Sequence, residues 1–414
     1  MSCTRIAVVG AGVHAIPLIE ALADRLTGRA VDLRLFARRV DRAQLVAAQA
    51  AQAIDRCQPA WRIRATDSLG EAVEGATVAV VAVRIGGHAA RAWDEQFPAR
   101  HGSVGDEGLG LGGLANAWRS QPVLQELAAT LRASAPSCRV ANMVAPLGLT
   151  TRLLCDAGLD AVGLCELPLL TQRGWALGAD DPNAVVWHYL GFNHLGWTWP
   201  ASAAAHQALE RAVANRTVDG PTLARFGAAP LWYHYAVVDQ QAGARLGIAA
   251  RPGRASWLGA LADRAIADMA GGNPKGARKV VAQRPTPWFD QMVAPTVAAW
   301  LGRAAFSGHV NTQPAPDWLN IPKGVVVETA AQFDATGTGC CWPRDVPEQV
   351  LSFLAEWGRY EDLAYAAVCS RDVTQLAAAV RALPLPFDRN EILAIVRDIV
   401  QGESLMGQAS ASPG

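Results

Sequence analysis

No apolar run in this chain reaches the ~20 residues that span a bilayer, and the N-terminal MSCTRIAVVGAG has no cationic segment followed by a long apolar stretch and a cleavage site. The sequence therefore predicts a cytoplasmic protein without a membrane partner. An excess of either charge is also missing, because 37 Lys and Arg balance 37 Asp and Glu. No block of basic residues is present either, which argues against a nucleic-acid partner. The eight cysteines include no CxxC pair. They read as reduced thiols in core positions, and the adjacent Cys340 and Cys341 lack the spacing of a redox or zinc site. No internal repeat is visible. What the chain does have is length and apolarity: 414 residues, 51% of them hydrophobic, exclude a disordered or fibrous protein and suit a globular one with a small polar ligand.

The first segment, RIAVVGAGVHAIPLIEALADRL, reads as a buried strand, a glycine turn and an amphipathic helix. That is a phosphate-binding βα unit. Gly10 permits the tight turn, Gly12 lets backbone approach a pyrophosphate, Val13 follows, and Ala15 takes the place of a third glycine. A second strand, VDLRLFA, ends at Ala37, Arg38 and Arg39, where a carboxylate usually grips the ribose. Arg38 there can accommodate a 2′-phosphate, so the cofactor is NAD or NADP.

ATVAVVAVR (76–84) and CRVANMVAP (138–146) predict further buried parallel strands, with a helix over about 114–133 between them. The fold class is thus α/β, with an N-terminal Rossmann-like doubly wound parallel sheet, lactate/malate dehydrogenase-like, followed by a mixed α+β part. Domains are expected at 1–163 for the dinucleotide and 164–402 for substrate, metal and oligomerisation, with a disordered tail at 403–414. Ligands collect beyond the carboxyl ends of such strands, which places Arg84 and Asn142 beside the nicotinamide.

GFNHLGWTW sets His194 inside an apolar and aromatic run. Alone, such a histidine reads as a hydrogen-bonded core residue, and Cys165 in GLCELPLL reads as a buried thiol. The order of motifs along the chain adds to this. An RIGG turn at Arg84 precedes R-x-x-DE from Arg91, HG-x-x-G-x-E ending at Glu107 and a G-x-GG helix start. N-x-x-x-P-x-G from Asn142, GLC with an acidic neighbour and N-H-x-GW follow, with HVNTQ and GVVVE beyond. This series resembles glycoside hydrolase family 4, the NAD- and metal-dependent glycosidases, an exception to the two-carboxylate mechanism.

The resemblance implies that Cys165 and His194 bind one divalent cation, Mn²⁺ foremost among Mn²⁺, Fe²⁺, Co²⁺ and Ni²⁺. It implies a redox-neutral cycle: hydride leaves C3 of the sugar for NAD⁺, a base removes the C2 proton, the C1 substituent is eliminated, and water and hydride return. In β-specific members the base is a tyrosine in Y-L-[RK]-Y-x-Y. This chain has PLWYHY, which makes Tyr233 the carried-over base, with Tyr235 and His234 the alternatives.

Glu107 matches a glutamate near the metal, with Asp106 in place of glutamine. Arg91 and Arg284 match arginines that hold a sugar 6-phosphate, or else sit in ion pairs, and Asn193 falls on the substrate side. The pattern also departs in places. Glu166 replaces Asn or Asp and could act as acid to the leaving group, Ala145 replaces a polar Asn, and RPTPWF from Arg284 adds two prolines. These departures favour an altered or non-phosphorylated glycoside over a 6-phospho-β-glucoside.

The expected partner is a small-molecule glycoside, and the family implies a homodimer or homotetramer. The alternative reading is an NAD(P)-dependent sugar dehydrogenase or epimerase that leaves the glycosidic bond intact. A third is a non-catalytic NAD-binding protein, if Cys165 and His194 prove too far apart to share a cation.

Overall fold

Residues Thr4–Val9 are apolar almost throughout, and a strand buried on both faces is what such a run becomes when helices cover both sides. In the computed structural model, which describes residues 3–55, 57–250 and 253–404, it is strand β1. The other strands are β2 (Val31–Phe36), β3 (Trp61–Thr66), β4 (Val78–Val81), β5 (Arg139–Asn142) and β6 (Asp160–Gly163). Then come β7 (Trp187–Phe192), β8 (Leu195–Pro200), β9 (Ala229–Pro230), β10 (Phe306–Thr312), β11 (Val327–Asp334) and β12 (Gly337–Cys341). They make one sheet in the order β3-β2-β1-β4-β5-β6-β10-β11-β7-β8-β9, with β12 on β11. The first six run parallel and the rest pair antiparallel.

Alternation along the parallel strands divides the core. Ile6, Val8, Leu33 and Val80 face the helices Ala15–Arg25, Val40–Ile54 and Ala294–Trp300. Ala7, Val9, Ala79 and Val140 face the long helix Gly110–Ser134 and the C-terminal helices Glu348–Ser370 and Ile392–Gln401. The α/β, Rossmann-like reading of the sequence therefore stands. No helix among the described residues is long and apolar enough to cross a membrane.

Three expectations need adjustment. Strand β3 carries Arg62 and Arg64 on an exposed sheet edge, a polarity that hides its strand signal while protecting the edge from further pairing. The sheet also continues across the expected boundary at 163, because β6 pairs through Asn311 with β10. Finally, Glu403 and Ser404 are ordered in a 3₁₀ turn, where Arg371 holds Glu403; residues 405–414 lie outside the described residues.

Beneath the strand ends, Arg119 and Asp94 form an ion pair that is essentially solvent-free, at 2.5 Å and 1% side-chain exposure each. Burial raises the Asp94 carboxyl to about 7 against the pull of Arg119. Arg119 also donates to the Ile85 carbonyl, so it ties the helix Gly110–Ser134 to the loop after β4. Arg119→Ala leaves a buried carboxylate unpaired and is expected to cost about 3–5 kcal/mol in urea unfolding. A loss below about 1 kcal/mol would show that the pair does not organise this loop.

Candidate active site

The strand order reverses at β1 and β4, with β2 and β3 on one side and β5 and β6 on the other, and ligands of open α/β sheets sit in the crevice above such a point. Gly10 and Gly12 lie there. Gly10 has φ +113°, and a Cβ on it would stand 2.6 Å from the Ala82 carbonyl oxygen, so only glycine lets β1 and β4 diverge this closely. A Cβ on Gly12 would meet no atom within 4 Å. The space above the N-terminus of helix Ala15–Arg25 is therefore open, which fits a bound pyrophosphate. The Val13 side chain is core, leaving only its backbone to face a ligand. Arg38 is exposed at the end of β2.

Arginines and carboxylates crowd the rim. Glu107 pairs with Arg84, and with Arg91 at 2.8 Å. Burial opposes its charge, but the two guanidinium groups outweigh burial and hold its carboxyl below the usual range. Arg91 also donates to Glu95 at 2.6 Å, and Glu95 in turn accepts from the Gly253 and Ala255 amides. Arg91 thus pairs with two carboxylates of the protein. Arg284 differs: its Nε is buried without a partner, and burial, then Arg84 and Arg91, lower its pKa to about 10. Asp106 accepts from the Gly108 amide at 2.7 Å, and burial lifts its carboxyl to about 6.

His194 occupies the second position of the two-residue turn between β7 and β8, at φ +66°, an uncommon conformation for a side chain of this size. Its ring lies face to face with Tyr233 at 4.2 Å and 6°. Burial lowers its pKa to about 4, and its Nδ1 is buried with no hydrogen-bond partner. Tyr233 also feels the charge of Cys165, whose thiol is buried beside Glu166. Burial, then Glu166 and Glu328, push that thiol well up. Among the described residues no group of three or more His, Cys, Asp or Glu side chains forms a cation cage. A neutral imidazole with a free lone pair and a thiol nevertheless fit a softer divalent cation held by two side chains, with its other positions open to substrate.

Of the three candidate bases, only Tyr233 reaches the His194 ring. The Tyr235 hydroxyl accepts from the Asp219 amide at 3.1 Å, and His234 is packed among Trp197, Phe226 and Phe353. Burial, then Asp106 and Cys165, raise the Tyr233 pKa.

Asn142 has no exposed surface, donates to Thr150 and Thr151 at 2.9 and 3.0 Å, and accepts from the Val144 amide at 3.1 Å. Both of its amide hydrogens are used within the protein, where they shape the loop that carries Ala145.

The sequence reading missed Glu328. This carboxylate, with no exposed surface, is held by Tyr189, by Asn311 at 2.6 Å and by Asn193 at 3.4 Å. It thereby braces the residue next to His194. A carboxylate ending the apolar run VVV, in GVVVE, was the available signal.

Fold and site together define a Rossmann-like chain with a candidate two-donor cation site above the strand ends. Residues 5–176 match the Family 4 glycosyl hydrolase model. A 6-phospho-alpha-glucosidase 1 of Lacticaseibacillus paracasei is 30% identical over 145 residues, 34% of this chain and 32% of that one. An alpha-galacturonidase of Bacillus subtilis is 31% identical over 155 residues, 34% of each. The matched stretch thus spans about a third of the length of these two relatives.

The 6-phospho-beta glucosidase from Thermotoga maritima, solved with manganese, NAD+ and glucose-6-phosphate, superimposes with a TM-score of 0.83 at 18% identity, covering 97% of this chain and 98% of that one. A lactate dehydrogenase from Cryptosporidium parvum superimposes at 0.55 and 11% identity, covering 89% and 99%. The dehydrogenase-like reading of the fold holds.

Burial raises the Glu328 carboxyl to about 7, against its three hydrogen bonds. A carboxyl raised on folding stabilises the fold fully only below its unfolded pKa, and that contribution is lost as pH climbs through the folded value. Wild type should therefore lose stability relative to Glu328→Gln between about pH 4.5 and 7, by about 3 kcal/mol at most. Urea midpoints of both proteins at pH 5 and 8 measure this; a constant difference would contradict the assignment.

Proposed function

We propose that this chain is an NAD- and divalent-cation-dependent glycoside hydrolase acting on a small glycoside. The observation that carries the reading is the Tyr233 ring stacked on His194, whose buried Nδ1 has no partner. Cys165 and His194 would hold the cation, and the turn Gly10–Val13 would hold the dinucleotide. When bound, the dinucleotide supplies a reversible hydride acceptor and the cation a Lewis acid.

The protein's own residues then do the following. Tyr233, fixed by stacking, takes the proton from the sugar carbon next to the oxidised one. Its buried phenol resists ionisation, and Arg254 is a cation that favours the charged form. Glu166, at the N-cap of the helix Leu167–Ala176 directly after Cys165, would give its proton to the leaving-group oxygen. Glu107 holds Arg84 and Arg91 and lies close enough to His194 to act on it electrostatically. Asn193, braced by Glu328, faces the substrate side.

Arg91 pairs with Glu95 and Glu107, Ala145 offers no amide, and Arg284, stacked over Trp288, has no ion-pair partner among the described residues. This supports an altered or non-phosphorylated glycoside as substrate. Arg38 accommodates either NAD or NADP. The family kinship supports a homodimer or homotetramer.

Proton NMR in D₂O with Mn²⁺, catalytic NAD⁺, reductant and paired phosphorylated and unphosphorylated aryl glycosides tests this reading. The expected result is aglycone release with deuterium at C2, reduced at least about 100-fold in Cys165→Ser. Stoichiometric NADH with the glycosidic bond intact would replace it with the dehydrogenase or epimerase reading.

A further inference from the structure

Beside Tyr233 lies a cavity of about 480 Å³, a volume typical of small-ligand sites, lined by Asp106, Arg91, Trp232, Tyr233, Ile248 and Arg254 among others. Trp232 stacks on Tyr233 at 4.1 Å and 29°, while His194 stacks on it at 4.2 Å and 6°. Two rings that close and that nearly parallel to a third cannot share one face without overlapping, so they clamp Tyr233 between them. On the glycosidase reading, the His194 face of Tyr233 would meet the sugar and the Trp232 face the group beyond the bond being broken. Trp232 keeps 37% of its surface exposed, so indole surface remains for another ring to stack on.

The charges of this lining are nearly all satisfied internally. Arg91 is bonded to Glu95 and Glu107, Glu95 also accepts two backbone amides, and Asp106 accepts from Gly108. Arg254 alone, exposed at the start of helix Arg254–Ala270, has no ion-pair partner among the described residues.

We propose that this cavity is a leaving-group subsite for an aromatic aglycone carrying an anionic substituent, stacked on Trp232 and charge-paired with Arg254. The proposal rests on the glycosidase reading for the words "leaving group"; the ligand class rests on the cavity. The test is calorimetric titration of the full chain with 4-hydroxybenzoate, 4-hydroxybenzamide and phenol, in wild type, Trp232→Ala and Arg254→Gln.

Wild type should prefer the acid over the amide by about fivefold, the size of a partly exposed charge pair. Arg254→Gln should erase that preference while leaving amide affinity unchanged, and Trp232→Ala should weaken acid and amide alike by about fivefold. No binding, equal binding of acid and amide by wild type, or a preference that survives Arg254→Gln would overturn the proposal. If the preference is present but no aryl glycoside is cleaved, the glycosidase reading fails and the ligand class stands. If cleavage occurs without the preference, the subsite fails alone.

Discussion

The imidazole of His194, held at φ +66° in a two-residue turn and pressed flat against Tyr233, is the contact on which the rest of the site depends. A hairpin this tight leaves the histidine no freedom to swing away, and the stack fixes the rotation of both rings. The cost is a strained backbone and a buried nitrogen without a partner. Structures keep such costs where a ligand repays them. The Glu328 network, which braces Asn193 one residue earlier in the turn, is the support that makes the strained geometry hold.

Around that contact, buried charge does two jobs. The pair Arg119–Asp94 joins the helices Gly110–Ser134 and Gly87–Gln96, and Arg91–Glu95 lies within the latter. Arg284 and Arg254 have no ion-pair partner among the described residues; Arg284 lies over the Trp288 ring with its Nε unpartnered, and Arg254 lines the cavity beside Tyr233. Sorting the arginines this way separates those that hold the fold from those that await an anion, a distinction the motif pattern alone does not make. Arg91 carries the family motif and is nonetheless internal.

The parallel half of the fold was legible because its strands are short apolar runs separated by a glycine turn and helical periodicity, signals that do not depend on distant residues. Strand β3 escaped because its arginines face solvent at an edge, and the continuation of the sheet through β10 and β11 escaped because antiparallel pairing across 150 residues leaves no local trace. Cys165, His194 and Tyr233 were reached through motif order rather than periodicity. The hydrogen bonds from Asn142 to two threonines were not legible, because an asparagine at a strand end carries no local sign of its partners. Glu328 could be valued only once Tyr189 and Asn193, 139 and 135 residues earlier in the chain, were seen with Asn311 around one carboxylate.

The account's central claim is that Cys165 and His194 share one cation next to Tyr233. Titrating the protein with Co²⁺ under reducing conditions, while following thiolate-to-metal charge transfer in the near ultraviolet, addresses it most directly. The account predicts a band that saturates at one equivalent, disappears in Cys165→Ser and needs far more Co²⁺ in His194→Ala. A wild-type protein without the band, or a band that persists in Cys165→Ser, would contradict it.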